Sequence, residues 1–377
     1  MNIGLFTDGY LPEISGVTSS VLWLKEELEA LGHAAYVYAP HYDELSGDEH
    51  HVFRFRSQPF LFHRASRVAL PYDRAAMRSF RELDVIHSHS PFSLGVVALA
   101  AARRHRTPHV HTYHTYLAEY RRYLPRLLRP PRRTTEEASA VFCNRCTAVT
   151  APSEAIRQEL LRYGVRRPIH VFPYGVKLSL FEADPVWSPR SVLGIREDVL
   201  LLLYSGRLAQ EKNLPFLLDV FARLRASEPR AVLVLAGDGP MRIRLEAQAA
   251  ERGLNEAVTF TGFLDHARLV DLYKAADLFV FASKTETQGL AILEAMAGGT
   301  PAVAIGEMGV LDILEDEVNG CLAPENEDGF AARVAELLAD DARRARLGEG
   351  ARRTAERLST HHSTCRLLEI YETCQTT

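Results

Sequence analysis

Apolar positions follow two rhythms along the 377-residue chain: short unbroken runs, and longer stretches in which they recur every three or four residues. NIGLFT is a run that stops at Asp8, and DGYLPEISG, with Pro12 and Gly16, reads as a loop. Val21, Leu24, Leu28 and Leu31 then recur at helical spacing, with Gly32 at the expected helix end. YVYA, DVIHSHS, HVHTYHT, TAVTAPS and IHVFPYG read as further strands with helical stretches between them. Ser90-Pro91 is expected to cap and open the alanine-rich helix after DVIHSHS. Strands alternating with helices predict a parallel sheet covered on both faces.

Between Gly175 and Glu197 the rhythm lapses, with Pro185 and Pro189 and no clear period, and this reads as a linker. It then restarts: VLLLLYSG, AVLVLAG, VTFTGF, LFVFAS and PAVAI as strands, LPFLLDVFARLRA and DLYKAAD among the helices. The fold expected is α/β with two doubly wound halves, 1–175 and 176–357. A last helix in 358–377 should pack back toward the first half. The halves share a pattern but not residues, so this is no sequence repeat. Ligands of such sheets sit beyond the carboxyl ends of the strands, so two facing edges would make a cleft.

Composition changes this picture little. With 47% hydrophobic and 24% charged residues the chain is that of a globular protein, and a net charge of −4 makes no global case for nucleic acid. Five scattered cysteines suggest a reducing compartment, and the lone C-x-x-C of Cys143 and Cys146 lacks the second pair that a zinc site needs. No secretory signal is expected, because MNIGLF is followed by Asp8 and Glu13, and no run approaches the ~18–20 apolar residues of a bilayer span. The expectation is a cytoplasmic protein, at most peripheral on the inner face of the membrane. Arginine outnumbers lysine many-fold, so arginine clusters carry less weight than usual.

Candidate chemistry sits at strand ends. Residues 283–301 read SKTETQGLAILEAMAGGTP, and from Leu290 to Gly306 the only charge is Glu294. An unpaired charge in an apolar interior costs several kcal/mol, roughly, so something must meet this carboxylate. A helix beginning near Gly289 or Leu290 offers unpaired amides and the positive end of its dipole, a seat for phosphate. Glu286 and Glu294 bracket that seat and could accept from vicinal hydroxyls on either side of a diphosphate. The alternative is that Glu294 pairs with a buried arginine and Glu286 is solvated. In YSGRLAQEKN, Gly206 allows close approach while Arg207 and Lys212 bring two cations to the same sheet edge. They are either counter-charges for a leaving diphosphate or an ordinary exposed loop pair. No phosphate loop, strand-borne G-x-G-x-x-G or D-x-D pair is present, so no metal is expected.

GRLAQEKN, LAGDGP, TGFLDHARLVDLYKAADLFVFAS and the E-x7-E of TETQGLAILE together resemble the retaining glycosyltransferases of family 4, which have the two-domain GT-B fold. The resemblance spans nearly the whole chain. It implies a nucleotide-sugar co-substrate, retention of configuration, and no cofactor or metal. It implies that Glu286 touches the donor hexose and Glu294 the ribose hydroxyls. Amides around Gly289 and Leu290 would hold the diphosphate with Arg207 and Lys212, backbone groups near Thr261 and Gly262 would read the base, and Gln288 is a further donor-binding candidate. FTDGYLPEISGV resembles the family's glycine loop, with Gly16 placed to meet the leaving phosphate and Ser15 where many members have a first glycine. His114 matches the family histidine that contacts the donor sugar. His111, His87 and His89 either line the same wall or satisfy buried strand ends. Gln288 departs from the phenylalanine that many members carry.

The acceptor is read from TYLAEYRRYLPRLLRPPRRTTEE. Its arginines include Arg121, Arg122, Arg126 and Arg129, with Leu117, Tyr120, Leu124, Leu127 and Leu128 near one helical face and Pro125 interrupting. This is either a basic amphipathic segment for an anionic membrane or an ordinary core-facing helix. HSHSPFSLG, TYHTY, FCNRC, AVTAPS and TETQGL resemble the bacterial diacylglycerol glucosyltransferases. That resemblance implies transfer of glucose from UDP-glucose to diacylglycerol in α linkage. Other family 4 donors and acceptors are the alternative: UDP-galactose, GDP-mannose, a phospholipid or a soluble molecule. A nucleotide-sugar epimerase or hydrolase of the same fold is a further class.

Overall fold

In a computed structural model the structure describes residues 1–376 except 14, 44–48, 61–62, 115, 117–120 and 122–128, together with the side chains of 63–66. The chain divides into two units, Met1–Gly175 with Thr360–Thr377, and Val176–Ser359.

Unit 1 carries strands β1 (Asn2–Phe6), β2 (Ala34–Pro40), β3 (Val52–Phe55), β4 (Ser57–Phe60), β5 (His63–Ala69), β6 (Val85–Ser88), β7 (His109–Thr112), β8 (Ala148–Ala151) and β9 (Ile169–Val171). Seven of them form one parallel sheet in the order β3-β2-β1-β6-β7-β8-β9, and β4 and β5 pair as a separate antiparallel hairpin. The helix Gly16–Ala30 follows the predicted spacing: Val21, Leu24 and Leu28 are buried, and Gly32 takes φ +82° just past its end. Phe6, Tyr38 and Phe80 pack together under the sheet. The tail forms the helix Thr360–Gln375 in this unit, with Tyr371 fully buried.

Unit 2 carries β10 (Leu200–Ser205), β11 (Ala231–Ala236), β12 (Val258–Gly262), β13 (Leu278–Phe281), β14 (Ala302–Ile305) and β15 (Gly320–Ala323). All are parallel, in the order β12-β11-β10-β13-β14-β15. Counted within the unit this is 3-2-1-4-5-6, whose switch point lies between β10 and β13. The strands are nearly continuous apolar runs because both faces are covered, and every residue of β13 and β14 is buried.

Three expectations change. Residues 175–197 are no bare linker: Val176–Ser359 is one unit, and the backbone amides of Val186 and Trp187 bond the buried Asp271 carboxylate at 2.8 and 3.2 Å. Two short helices, Ser179–Glu182 and Pro189–Val192, occupy the segment. Ser90 does not cap the alanine-rich helix, which runs Ser93–His105; the hydroxyls of Ser90 and Ser93 instead hydrogen-bond the Asp8 carboxylate. Finally β3, the β4–β5 hairpin and β15 lack the long apolar runs of the other strands and were not predicted.

Candidate functional site

Close contacts of glycine backbones shape the carboxyl edge of unit 2. Gly206 and Gly237 have φ +137° and +138°, and a Cβ on Gly237 would stand 2.1 Å from the Gly206 carbonyl oxygen. No side chain fits there, so the loops after β10 and β11 lie flat on each other. Past Gly206, Arg207 is half-buried and its carbonyl accepts from Tyr204 at 3.2 Å. The short turn Gln210–Lys212 then points Lys212 back toward β13.

Across the switch point, Ala282 and Ser283 follow the end of β13. Lys212 forms an ion pair with Glu286, and the Ser283 hydroxyl donates to the same Glu286 oxygen at 2.9 Å. Both charged side chains are largely enclosed, 22% exposed for Lys212 and 16% for Glu286. The loop is pinned from below, since the Gly309 amide bonds the Glu286 carbonyl at 3.0 Å and a Cβ on Gly309 would meet the Thr287 carbonyl at 2.4 Å. Gln288 is buried, and Gly289 turns the chain at φ +94° into the helix Leu290–Ala297, whose start no side chain caps. That leaves the positive end of the dipole beside Lys212 and Glu286.

Glu294, one turn into this helix, is met by a tyrosine and a histidine. Its Oε2 accepts from Tyr273 Oη at 2.8 Å, and its Oε1 lies 3.1 Å from His266 Nε2. A buried arginine is not its partner. Burial and the neighbouring Glu294 anion hold the Tyr273 hydroxyl well above the ordinary tyrosine range, so it stays a donor. Sequence reading missed both partners. The available signal was their spacing, since His266 and Tyr273 stand seven apart on the helix His266–Ala275 and therefore share a face. Thr261 and Gly262 end β12, where the Gly262 carbonyl accepts from the Gly237 amide at 2.9 Å. The structure thus brings Glu286 and Lys212 into contact and gives Glu294 a hydrogen-bonded seat on the adjoining helix.

The remaining candidates belong to unit 1. Ser15 caps the helix Gly16–Ala30, its Oγ accepting from the Thr18 amide at 3.2 Å, and its extended φ of −153° needs no glycine. Gly16 is the first residue of that helix. Asp8, at the end of β1, ties this loop to the helix Ser93–His105 through Ser90, Ser93 and the Leu94 amide; burial outweighs these bonds and raises its carboxyl. His114 bonds His89, Nε2 to Nδ1 at 2.8 Å, and stacks on Tyr174 with ring centroids 4.5 Å apart. His111 is fully buried, bonded to Ser88 at 2.9 Å and edge-on to Phe142, so it satisfies a strand end and reaches no surface. His87 does the same between Thr112 and Tyr371, at 2.6 Å from each. Burial pushes all five of His87, His89, His109, His111 and His114 down, to about 3 for His89, His109 and His111; neighbouring histidine rings reinforce it for all but His111, where the bond to the Ser88 carbonyl opposes it.

Of the basic segment, Arg122 and Arg126 lie outside the described residues, as do Leu117, Tyr120, Leu124, Pro125, Leu127 and Leu128. Arg129 is exposed, and Arg121 Nη1 donates to the Pro130 carbonyl at 3.4 Å. Cys143 and Cys146 are buried free thiols, Cys143 pushed up to about 12 by its burial. Among the described residues no helix is long and apolar enough to cross a membrane.

Residues 14–180 match the model of Glycosyltransferase Family 4, and residues 186–354 that of Glycosyl transferases group 1. Similarity to individual proteins runs through both matches. The chain is 35% identical to the alpha-monoglucosyldiacylglycerol synthase of Streptococcus pneumoniae over 90% of its own length and 79% of that protein's. The chain belongs to glycosyltransferase family 4. An enzyme of the same name from Acholeplasma laidlawii is 32% identical over 87% of this chain and 86% of its own. The GDP-mannose-dependent alpha-mannosyltransferase of Corynebacterium glutamicum is 31% identical over 91% and 82%. Among solved structures, Anabaena Alr3699/HepE in complex with UDP and glucose superposes with a TM-score of 0.80 at 22% identity, covering 99% of this chain and all of that one. That likeness speaks for the shared GT-B fold. This family 4 enzyme is therefore a glycosyltransferase with two Rossmann-like units.

Proposed function

We propose that this family 4 enzyme transfers glucose from UDP-glucose to diacylglycerol with retention of configuration, giving an α-linked monoglucosyl lipid. The observation that carries the reading is 35% identity to an alpha-monoglucosyldiacylglycerol synthase along nine-tenths of the chain, through both units. In unit 2, Glu286 meets the hydroxyls of the transferred hexose and Glu294 those of the ribose. Lys212, Arg207 and the first amides of the helix Leu290–Ala297 take the negative charge of the departing diphosphate. Fixed cations and a helix end preorganise that charge stabilisation and make a metal unnecessary in this scheme. Thr261, Gly262 and Gln288 contribute to donor binding. The roles that family resemblance gives Gly16 and His114 belong to the same proposal, as does association with an anionic membrane surface through Arg121, Arg122, Arg126 and Arg129.

The Lys212–Glu286 pair has a physical consequence under this reading. Lys212 is engaged by Glu286, so a nucleotide sugar replaces one contact by two: the sugar hydroxyls donate to Glu286 while the diphosphate draws Lys212. Breaking the pair without those replacements would strand two largely enclosed charges.

A second reading has an observation behind it, the 31% identity to a GDP-mannose-dependent alpha-mannosyltransferase over a like span. Both are tested in one experiment. Purified enzyme is given diacylglycerol in mixed micelles containing anionic lipid, with UDP-glucose, UDP-galactose or GDP-mannose as donor. A glucolipid from UDP-glucose alone is the expected result. A mannolipid from GDP-mannose transfers the assignment to the second reading, and a product only with soluble acceptors removes diacylglycerol.

A further inference from the structure

Half of the acceptor capacity of Glu294 is already used within the protein. An ionised carboxylate has about four lone-pair sites, two on each oxygen. Tyr273 takes one on Oε2 at 2.8 Å and His266 one on Oε1 at 3.1 Å. One site is left on each oxygen of a side chain 14% exposed. A vicinal diol, with two adjacent O–H donors, matches that remainder.

Tyr273 is itself fixed. It is fully buried, its ring packs on Phe279 at 5.9 Å and Phe181 at 6.5 Å, and Ser205 Oγ lies 2.5 Å from its oxygen. Since the Tyr273 proton goes to Glu294, Ser205 donates to Tyr273. A hydrogen-bonded chain thus runs from the last residue of β10, through the helix His266–Ala275, to the helix Leu290–Ala297. If Glu294 turned away, the Tyr273 proton could pair only by reversing the bond to Ser205, which would take from the Ser205 proton its acceptor on Tyr273, and this opposes the turn. We propose that Tyr273 is a positioning residue that acts through Glu294: it fixes the carboxylate plane so that one lone pair on each oxygen faces the ribose diol of the bound nucleotide. His266 is the second, weaker hold, being partly exposed. This inference rests on the ribose role of Glu294 in the function proposed above.

The test compares a nucleoside diphosphate with its 2′-deoxy form, which lacks half of the diol. UDP and GDP, each with its 2′-deoxy counterpart, are titrated calorimetrically into the full-length enzyme, and the base that binds tighter is used throughout. Wild type should prefer the ribonucleotide. Glu294→Gln should abolish the preference, and Tyr273→Phe should reduce it about tenfold with affinity for the 2′-deoxy form unchanged. His266→Ala should give a smaller loss in the same direction, with His266→Gln restoring part of it by keeping a donor. Should Tyr273→Phe fail to fold, judged by its melting, Ser205→Ala, which frees the Tyr273 hydroxyl and keeps its ring, carries the test: a smaller loss of the ribose preference supports the proposal and an unchanged preference overturns it. Equal weakening of both nucleotides by Tyr273→Phe, or an unchanged preference, overturns the proposal and leaves Tyr273 a packing residue. If Glu294→Gln also keeps the preference, the ribose role of Glu294 is what fails, and the inference with it.

Discussion

Unit 1 and unit 2 share a strand order around the switch point, yet the groups at their carboxyl edges differ in kind. In unit 1, β6, β7 and the residues just after them carry five enclosed histidines that must stay neutral, His109 at the start of β7 and the others nearer the carboxyl edge, bonded to Ser88, Thr112, Tyr371 and each other. In unit 2 the corresponding loops carry ions, with Lys212 paired to Glu286 and Glu294 held by Tyr273 and His266. One edge is a neutral network whose charging is costly; the other keeps fixed charges held by specific partners. In unit 2 these residues lie in the loops and helices beyond the strands, whereas in unit 1 His87, His109 and His111 lie in β6 and β7 themselves, so one α/β topology supports two different edges.

This difference can be broken from either side, and the largest effect expected is on acidification. His89, His109 and His111 have folded values near 3 against an ordinary 6.5, so the unfolded chain takes up protons between about pH 6.5 and 3 that the folded one refuses. Stability of unit 1 is therefore intact above about pH 6.5 and lost as pH falls, by about 3 kcal/mol per histidine at pH 4.5. Asp8, whose carboxyl is raised, opposes this with a single group. The only histidine of unit 2 is His266. The two tryptophans divide between the units, Trp23 in unit 1 and Trp187 in unit 2, so Trp23→Phe and Trp187→Phe variants report each separately. Fluorescence should show unit 1 unfolding at the higher pH. Simultaneous loss, or unit 2 going first, would contradict the account.

Next comes chemistry at the charged edge. Glu286→Gln is isosteric and should lower turnover about 100- to 1,000-fold, since it removes the charge opposite Lys212 and the contact assigned to the hexose. The secondary structure and both tryptophan signals should be unchanged. A variant with near-normal turnover would take Glu286 out of the reacting centre.

Third is the glycine contact that shapes that edge. Gly237→Ala places a methyl 2.1 Å from the Gly206 carbonyl at φ +138° and should destabilise unit 2 by about 2–4 kcal/mol. The loss should be visible at Trp187 before Trp23 in a denaturant titration. Smallest is Asp271→Ala, which strips acceptors from the Val186 and Trp187 amides and should cost about 1–3 kcal/mol. If residues 175–197 were a free linker, that cost would be near zero.

Legibility in the sequence followed the physics of each element. Strands such as LLLLYS and AVLVLA were readable because a sheet covered on both faces requires apolar runs, and the helix from Gly16 because its stripe ends at a glycine. VFRF and SQPF were not, since arginine and proline interrupt any period and the hairpin lies outside the main sheet. Ser90 was misassigned as a cap because its actual partner, Asp8, is 82 residues away. Glu294 was visible as a solitary charge, and the demand for a partner could be stated from sequence alone. The spacing of His266 and Tyr273 puts them on one helical face, but that this face meets Glu294 depends on two helices packing side by side, which local spacing does not declare.

The central claim is that a hexose leaves the nucleotide at unit 2 and arrives on a lipid. The most direct measurement follows UDP release from UDP-glucose and glucolipid formation in the same reaction, with and without diacylglycerol. The account predicts one UDP per glucolipid, both strongly dependent on diacylglycerol and both suppressed in Glu286→Gln. UDP release that continues without a lipid product, whatever the amount of diacylglycerol, would contradict it.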